Sequence, residues 1–512
     1  MRQHKQSVIF ALIISASLFW PLLNYGQGKT LELLPGSEKL GYDSKSGAHR
    51  LVGTVNFVYQ GNTMYCDSAH YFDKQQRVKA FGKVHIVKDA INLYCDSLDY
   101  NGKTKKAKLW GHVRVRDQEY KLSTDSLDYD AKKGRATYTN WGKIESISSK
   151  EVIKSKIGYF YPDTKDFFFS GKVQYKNEEL SMTTDTLQYR YAKQLTQFFG
   201  PTNILRGDTK MFCERGWFNV QTQEGSLIKN AWVKQEARTM IGDTLLYQPQ
   251  LGKSIGKGHV EIHDTLEKTI FYGDYAVNSD TTHSQFLRGH VLARKVNGKD
   301  TLYVHADTLF NQNDTLNKGL YTKAFHNVKV FNSTVQAVCD SLYMNQQPQV
   351  LNLFYSPILW SRNAELKGDS MRVFLNDSVI ERAEIRTKSS VVMELDSGTY
   401  YNQVAGQFIN AYFQKNELIR TDVRGNAQTV FFPEEELKTD TLVTVKRKGM
   451  NRLYSSDINI YLDSGEVTGI TYLEKPDGVF YPMNQINKDE QFIPNFKWNP
   501  MLRPKSWEEI IH

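Results

Sequence analysis

The chain writes one phrase over and over. "LYCDSLDY" at residues 93–100 returns as "LSTDSLDY" at 122–129 and, loosened, as "MTTDTLQY" at 182–189. With the acidic residue as marker, the phrase falls at Asp67, Asp96, Asp125, Asp185, Glu214, Asp243, Asp274, Asp307, Asp340 and Asp369, and Ser155 of "IKSKIGY" fills the gap after Asp125. The steps are 29, 29, 30, 30, 29, 29, 31, 33, 33 and 29 residues, and degraded copies near Gln407 and Asp457 bring the total to about thirteen. A fixed period of this length marks a repeat architecture. One copy cannot bury its apolar face alone, and stacking neighbours makes a continuous core. Length, at 512 residues, then says little about domain number.

A second phrase lies between the copies of the first. It reads "AFGKVHI" (80–86), "LWGHVRV" (109–115), "NWGKIES" (140–146), "FSGKVQY" (169–175), "GKGHVEI" (256–262) and "LRGHVLA" (287–293). The alternation after each Gly is that of a half-buried strand, and a Gly inside a strand marks a bulge or a close backbone approach. Asn101-Gly102, Lys133-Gly134, Asn297-Gly298 and Ser464-Gly465 supply turns. Each copy therefore gives about two strands and two turns. The mature body has no sustained 3.6-residue apolar period, and its aromatic residues, 29 of them Tyr, suit sheet surfaces. The expected fold is all-β, an elongated stack of strand-pair repeats.

In "LYCDSLDY", Leu93 and Cys95 share one face of a straight strand and Leu98 and Tyr100 the other, yet all four look interior. A phase shift near Asp96 reconciles them, and the sequence predicts a corner at each marker: Asp67, Asp96, Asp125, Asp185, Asp243, Asp274, Asp307, Asp340 and Asp369. There the carboxylate is expected to bond local backbone N–H groups. A catalytic role is disfavoured, because an active site needs unlike groups converging in one place and this array spreads like groups along its length. The chain has no G-x-S-x-G elbow, P-loop or H-E-x-x-H motif, so the sequence predicts no enzyme, no metal and no cofactor. His112, His259 and His290 follow the Gly of the second phrase where Lys83, Lys143 and Lys172 stand elsewhere, which fits an exposed cationic slot.

The first residues, "MRQHKQSVIFALIISASLFWPLLNYGQGKT", run from a basic start through an apolar stretch to small and polar residues, as a secretory signal does. Residues 1–27 are expected to be that signal and 28–50 an N-terminal cap. The repeats are assigned to 51–395, degraded repeats to 396–482, and a tail or cap to 483–512. Export permits disulfides. Cys66, Cys95, Cys213 and Cys339, however, occupy one slot, just before the marker, which Thr124, Thr184, Gly242, Gly273, Ala306 and Gly368 fill elsewhere. A buried small side chain accounts for that, with a Cys66–Cys95 bridge as the alternative. The formal charge is +9, with basic runs at "KTKKAK" (103–108) and "VKRKGMNR" (445–452). Such runs are usually solvated turns, though a basic face favours phosphorylated lipid headgroups. Nucleic acid is not expected of an exported chain without a binding module.

The paired phrases, "(small)-D-S/T-L-x-Y" and "aromatic-G-x-V-x-V", behind a signal segment resemble the LptA/OstA family of periplasmic lipopolysaccharide-transport proteins. The resemblance covers roughly residues 50–390, with weaker copies to about 470. It implies a β-jellyroll whose apolar interior shields lipid acyl chains. Leu98, Tyr100, Leu127, Tyr129, Leu187, Tyr189, Leu245, Tyr247 and Leu309 are the candidate lining residues. It also implies a periplasmic location with possible outer-membrane association. The implied partners are lipopolysaccharide, inner- and outer-membrane transport components joined by strand-edge pairing, and head-to-tail copies of the chain. The chain departs from the family in length and lacks the C-terminal barrel pattern of the outer-membrane member. The competing reading is an exported β-solenoid scaffold or adhesin without lipid cargo.

Overall fold

The computed structural model describes residues 31–511, apart from 60–61, 89, 119, 148–149, 162–163, 165, 179, 194, 220–221, 223, 280, 299, 315–318, 347, 377–378 and 440–441. The expected signal segment, 1–27, lies outside the described residues. The chain is all-β as its period predicts: antiparallel strands joined by tight turns, with 3-10 turns as the only helical elements among the described residues. No helix among them is long and apolar enough to cross a membrane. Two compact units divide the chain, one running to Glu236 with Ile241–Leu251, the other comprising Ala237–Met240 and Gly252 onward.

In the first unit the strands Arg77–Lys88, Ile91–Asn101, Lys106–Arg116 and Tyr120–Asp130 pair in succession. Side chains set the hairpin turns: Asn101 Oδ1 accepts from the backbone N–H of Lys103 at 3.1 Å and of Thr104 at 3.0 Å, and Asp130 does the same for Lys132 and Lys133. The phase shift is present and the ladder explains it. Phe81 pairs with Ser97 and Val84 with Cys95, so Gly82 and Lys83 together oppose Asp96 alone. On the next strand Gly111 and His112 form the same two-residue bulge between Asp96 and Asp125. Both bulge residues take positive φ: 72° and 45° at Gly82 and Lys83, 78° and 45° at Gly111 and His112. Leu93 and Cys95 before the shift, and Leu98 and Tyr100 after it, are consequently all buried.

The extra residue thus sits in the glycine phrase, and the marker faces it. A Cβ on Gly111 would stand 2.3 Å from Asp96 Oδ2. The equivalent distance is 2.4 Å for Gly82 with Asp67 and for Gly200 with Asp185, and 2.5 Å for Gly289 with Asp274. Glycine is needed twice over, by its dihedral and by the carboxylate lying on it. The carboxylate's partners also differ from expectation. At three markers they are side chains of the neighbouring strand: His112 Nδ1 is 2.8 Å from Asp96 Oδ2, His290 Nδ1 is 2.9 Å from Asp274 Oδ2, and Lys388 Nζ is 3.5 Å from Asp369 Oδ1, while Asp340 also accepts from Ser341 Oγ of its own strand at 2.7 Å and Asp457 from the backbone N–H of Gly425 at 3.1 Å. The reason is geometric, because the bulge turns the residue after its Gly toward the marker.

Two assignments change. Ser155 is not a marker. It is fully buried in the small-residue slot, and Lys156 takes the marker position, its Cβ 3.0 Å from where a Cβ on Gly171 would be. The array also begins one copy before residue 51: Glu38 of "SEKLGY" lies over Gly53 (φ 80°) as Asp67 lies over Gly82.

Both halves of each strand feed one interior. In the second unit Ala337 and Leu342, Ile385 and Val391, and Val404 and Ile409 flank their bulges and join the same core cluster. Beyond Pro482 the tail turns back over the outside of earlier strands. Gln403 donates to Gln491 O at 2.8 Å and accepts from Ile493 N at 3.0 Å. Glu365, fully buried, accepts from Trp360 Nε1 at 2.9 Å, Asn499 N at 2.9 Å and Asn499 Nδ2 at 2.8 Å, with Lys367 Nζ 2.9 Å away. Arg503 Nε donates to Gln336 Oε1 at 2.7 Å, and Trp507 stacks on Tyr303 at 5.4 Å between ring centroids. The tail is a strap across several strands rather than a lid on the last one.

Gly111→Ala should lower stability by about 2–3 kcal/mol, since it adds a side chain at positive φ and displaces Asp96. Gly207→Ala, at φ 53° with open space around it, should lose no more than about 1 kcal/mol in the same denaturant titration.

Candidate functional site: the apolar interior

The interior is built from the slots the repeat defines. Leu98, Leu187, Tyr189 and Leu309 have no more than 1% of their surface exposed, and Tyr100, Leu127 and Leu245 are also buried. Tyr129 is half-buried. Tyr247 does not line the interior: it is 42% exposed, one residue from the end of Arg238–Gln248 and beside the turn Pro249–Leu251.

Sequence reasoning missed the residues that mend gaps. Gly158 and Gly216 stand where other copies have leucine. A Cβ on Gly158, or on Gly142, would run into the Tyr138 ring, and one on Gly216 would run into the Phe198 ring. Aromatics from neighbouring strands therefore refill the volume that the glycines vacate. Tyr138 is held by a 2.6 Å contact between its hydroxyl and Ser155 Oγ. Phe160 and Phe167 stack at 4.5 Å nearby. The readable signal was a glycine in a leucine slot, paired with an aromatic on an adjacent strand.

In the second unit a cavity of about 30 Å³ is lined by residues including Val391, Met393, Leu418, Ile460, Leu462 and Ile470. That space suits a water-sized guest and not a lipid tail. The N-terminal rung of the first unit is different. Leu40 pairs directly with the buried Leu51, so it shares the inward face, yet Leu40 and Tyr42 are each 63% exposed. No further strand covers them among the described residues.

Among the described residues no three His, Cys, Asp or Glu side chains gather as a metal site would require. His112 and His290 are exposed and face single carboxylates. The four cysteines are unpaired thiols, and the Cys66–Cys95 bridge is not formed. Burial pushes the thiols of Cys66 and Cys213 up to about 11 and those of Cys95 and Cys339 up to about 12. Of the basic runs, 103–108 forms a hairpin turn. In 445–452, Arg447 binds Asp396 at 2.6 Å and Arg452 donates to Glu490 O at 2.6 Å, so both are spent internally.

The native thiols should resist alkylation at neutral pH and react once the chain is unfolded. Because their folded pKa values lie above the unfolded value near 9, they stabilise the fold below pH 9. That contribution should fade as the pH rises through 11–12, visible as a falling denaturation midpoint.

Residues 34–185 match a family model described as "OstA-like protein". Among solved structures the chain is similar to LptH, "the LptA homologous periplasmic component of the conserved lipopolysaccharide transport device from Pseudomonas aeruginosa", at 14% identity over 26% of this chain and 78% of that one. The TM-score of that overlap is 0.14, too low to carry weight. No curated protein matches the chain.

Proposed function

We propose, starting from the OstA-like domain at residues 34–185, that the protein is a non-enzymatic periplasmic carrier that takes the acyl chains of lipopolysaccharide into its apolar interior on their way to the outer membrane. The observation that supports this most is the recurrence of the same inward leucine and tyrosine slots along the array, Leu98, Leu127, Leu187 and Leu309 among them. Similar slots at successive rungs give similar binding at each, so a lipid moves along without a deep trap. An acyl tail of about a dozen methylenes gains roughly 10 kcal/mol on leaving water. That gain is available to offset the parting of the buried side chains that fill these slots. Entry is favoured at the first rung, where Leu40 and Tyr42 are uncovered.

The same end is the natural place for partners. Lys39–Asp43 pairs with Ala48–Tyr59 on one side, and an edge strand of this kind accepts another strand. A transport component of either membrane, or a second copy of the chain head to tail, would extend the ladder there. The full burial of Leu187 and Tyr189 favours a second reading, an exported scaffold without cargo, in which these residues are simply core.

A photo-crosslinking amino acid in place of Leu127 or Leu187 in the full chain separates the two. Covalent capture of lipopolysaccharide at these positions, with none at the exposed Tyr247, is the expected result. Capture at none of them leaves the scaffold.

A further inference from the structure

The outer face of the second unit carries a grid that no basic run announces. It is built on Ser370–Asn376, Val379–Leu395, Tyr400–Gln414, Glu417–Phe431 and Gly449–Asp463, on the rungs away from the tail's contacts. One row of cross-strand partners reads Phe374, Arg382, Tyr412, Arg420, Tyr461; the next reads Arg372, Glu384, Asn410, Asp422, Asn459. Alternation puts these side chains outside, since Val373, Ala383, Ala411, Val423 and Ile460 between them are core. A third row adds Arg386, Phe408, Arg424 and Asp457.

The arginines are not equally occupied. Arg420 makes a fork to Asp422, with Nε and Nη2 at 2.7 and 2.9 Å, and Arg424 donates to Asn459 Oδ1 at 2.8 Å. Arg372, Arg382 and Arg386, by contrast, converge on the single carboxylate of Glu384, at 3.6, 3.1 and 3.6 Å. Glu384 is largely buried while the three guanidinium side chains are 35–55% exposed. Phe374 holds two of them in place, with Arg382 at 4.2 Å and Arg372 at 5.2 Å from its ring centroid, and Arg386 rests 5.8 Å from that of Phe408. Three fixed cations share one anion, and their outward N–H groups form forks suited to a second one. Guanidinium forks match phosphate oxygens in geometry and charge.

We propose that Arg372, Arg382 and Arg386 form a docking site for the phosphorylated sugar headgroup of a membrane amphiphile. Phosphate engages the three guanidiniums. Asn459 in the adjoining row has only its Nδ2 left for a sugar oxygen, its Oδ1 being taken by Arg424, and Tyr461, 40% exposed, offers a ring face. Extent favours a headgroup over a protein partner. Five strands about 4.8 Å apart and two turns of the pleat cover only a few hundred Å², whereas a stable protein interface needs about 800 Å² on each side. This site is separate from the interior and fails or stands independently of it.

The test is co-sedimentation of the full chain with phosphatidylcholine vesicles doped with bisphosphorylated lipid A, compared with vesicles carrying phosphatidylglycerol at equal charge. The wild type should prefer the lipid A vesicles. The triple variant Arg372→Gln, Arg382→Gln, Arg386→Gln should lose roughly tenfold or more in affinity, each lost charge-assisted contact being strong. Removing equal charge from an exposed hairpin turn, by Lys103→Gln, Lys106→Gln and Lys108→Gln, should leave binding nearly unchanged. The Arg-to-Lys triple keeps the pairing with Glu384 and the fold but loses the forks, so it should bind with intermediate strength. Any of four results overturns the proposal: no binding by the wild type, equal loss in the hairpin variant, equal binding to phosphatidylglycerol, or stronger competition by polyglutamate than by lipid A. Crosslinking of acyl chains at Leu187 should be the same in the wild type and the Arg-to-Gln triple, so failure here leaves the interior reading untouched.

Discussion

The fold depends on a two-residue bulge facing a marker side chain, in several copies a carboxylate lying over a glycine. The bulge at Gly111–His112 inserts one residue into the ladder, and Asp96 and Asp125 face it from either side. Without that insertion, a strict period of two would send Leu98 and Tyr100 to the outside of a strand that already buries Leu93 and Cys95. With it, one strand serves the interior twice. The repetition of this single device is why a chain with a +9 formal charge and only 40% hydrophobic residues still buries an apolar core within each unit.

The device also explains the composition of its own surroundings. Lys or His follows the glycine because the bulge aims that residue at the marker, and an exposed cation beside a carboxylate is stable there, though such surface pairs contribute little. Lys156 shows that the marker itself tolerates inversion of charge. Its aliphatic stem occupies the place over Gly171, so contact with the glycine matters as much as the sign of the headgroup.

Much of this was legible in the letters. The period, the all-β class and the corner near Asp96 follow from spacing and from four apolar residues that a straight strand cannot bury together. What the letters hid were features that depend on neighbours across the ladder. Tyr138 filling the space above Gly142 and Gly158 belongs to two other strands at once. Tyr247 matches the phrase, one residue from its strand end as Tyr100 and Tyr189 are, yet it alone of the three is exposed. Glu38 was missed because its copy, "SEKLGY", has Lys39 in place of the phrase's Ser or Thr and lies in the stretch read as an N-terminal cap, although it keeps the small residue, the acidic marker, the leucine and the tyrosine. The arginine grid was invisible for the same reason: its cations lie four residues apart along a strand or on different strands and become neighbours only through register, while the conspicuous runs at 103–108 and 445–452 dissolve into a turn and internal pairs.

The strap formed by the tail has a consequence for how the second unit comes into being. Asn499 closes on Glu365, Arg503 on Gln336 and Trp507 on Tyr303, partners separated by 134 and 167 residues and by still more in the last case. Strands that pair with their neighbours are free to zip as they emerge during synthesis. Glu365 already has Trp360 and Lys367 beside it, but the two bonds from Asn499 form only once that stretch of chain has been made. Until then the carboxylate borders an unfinished surface.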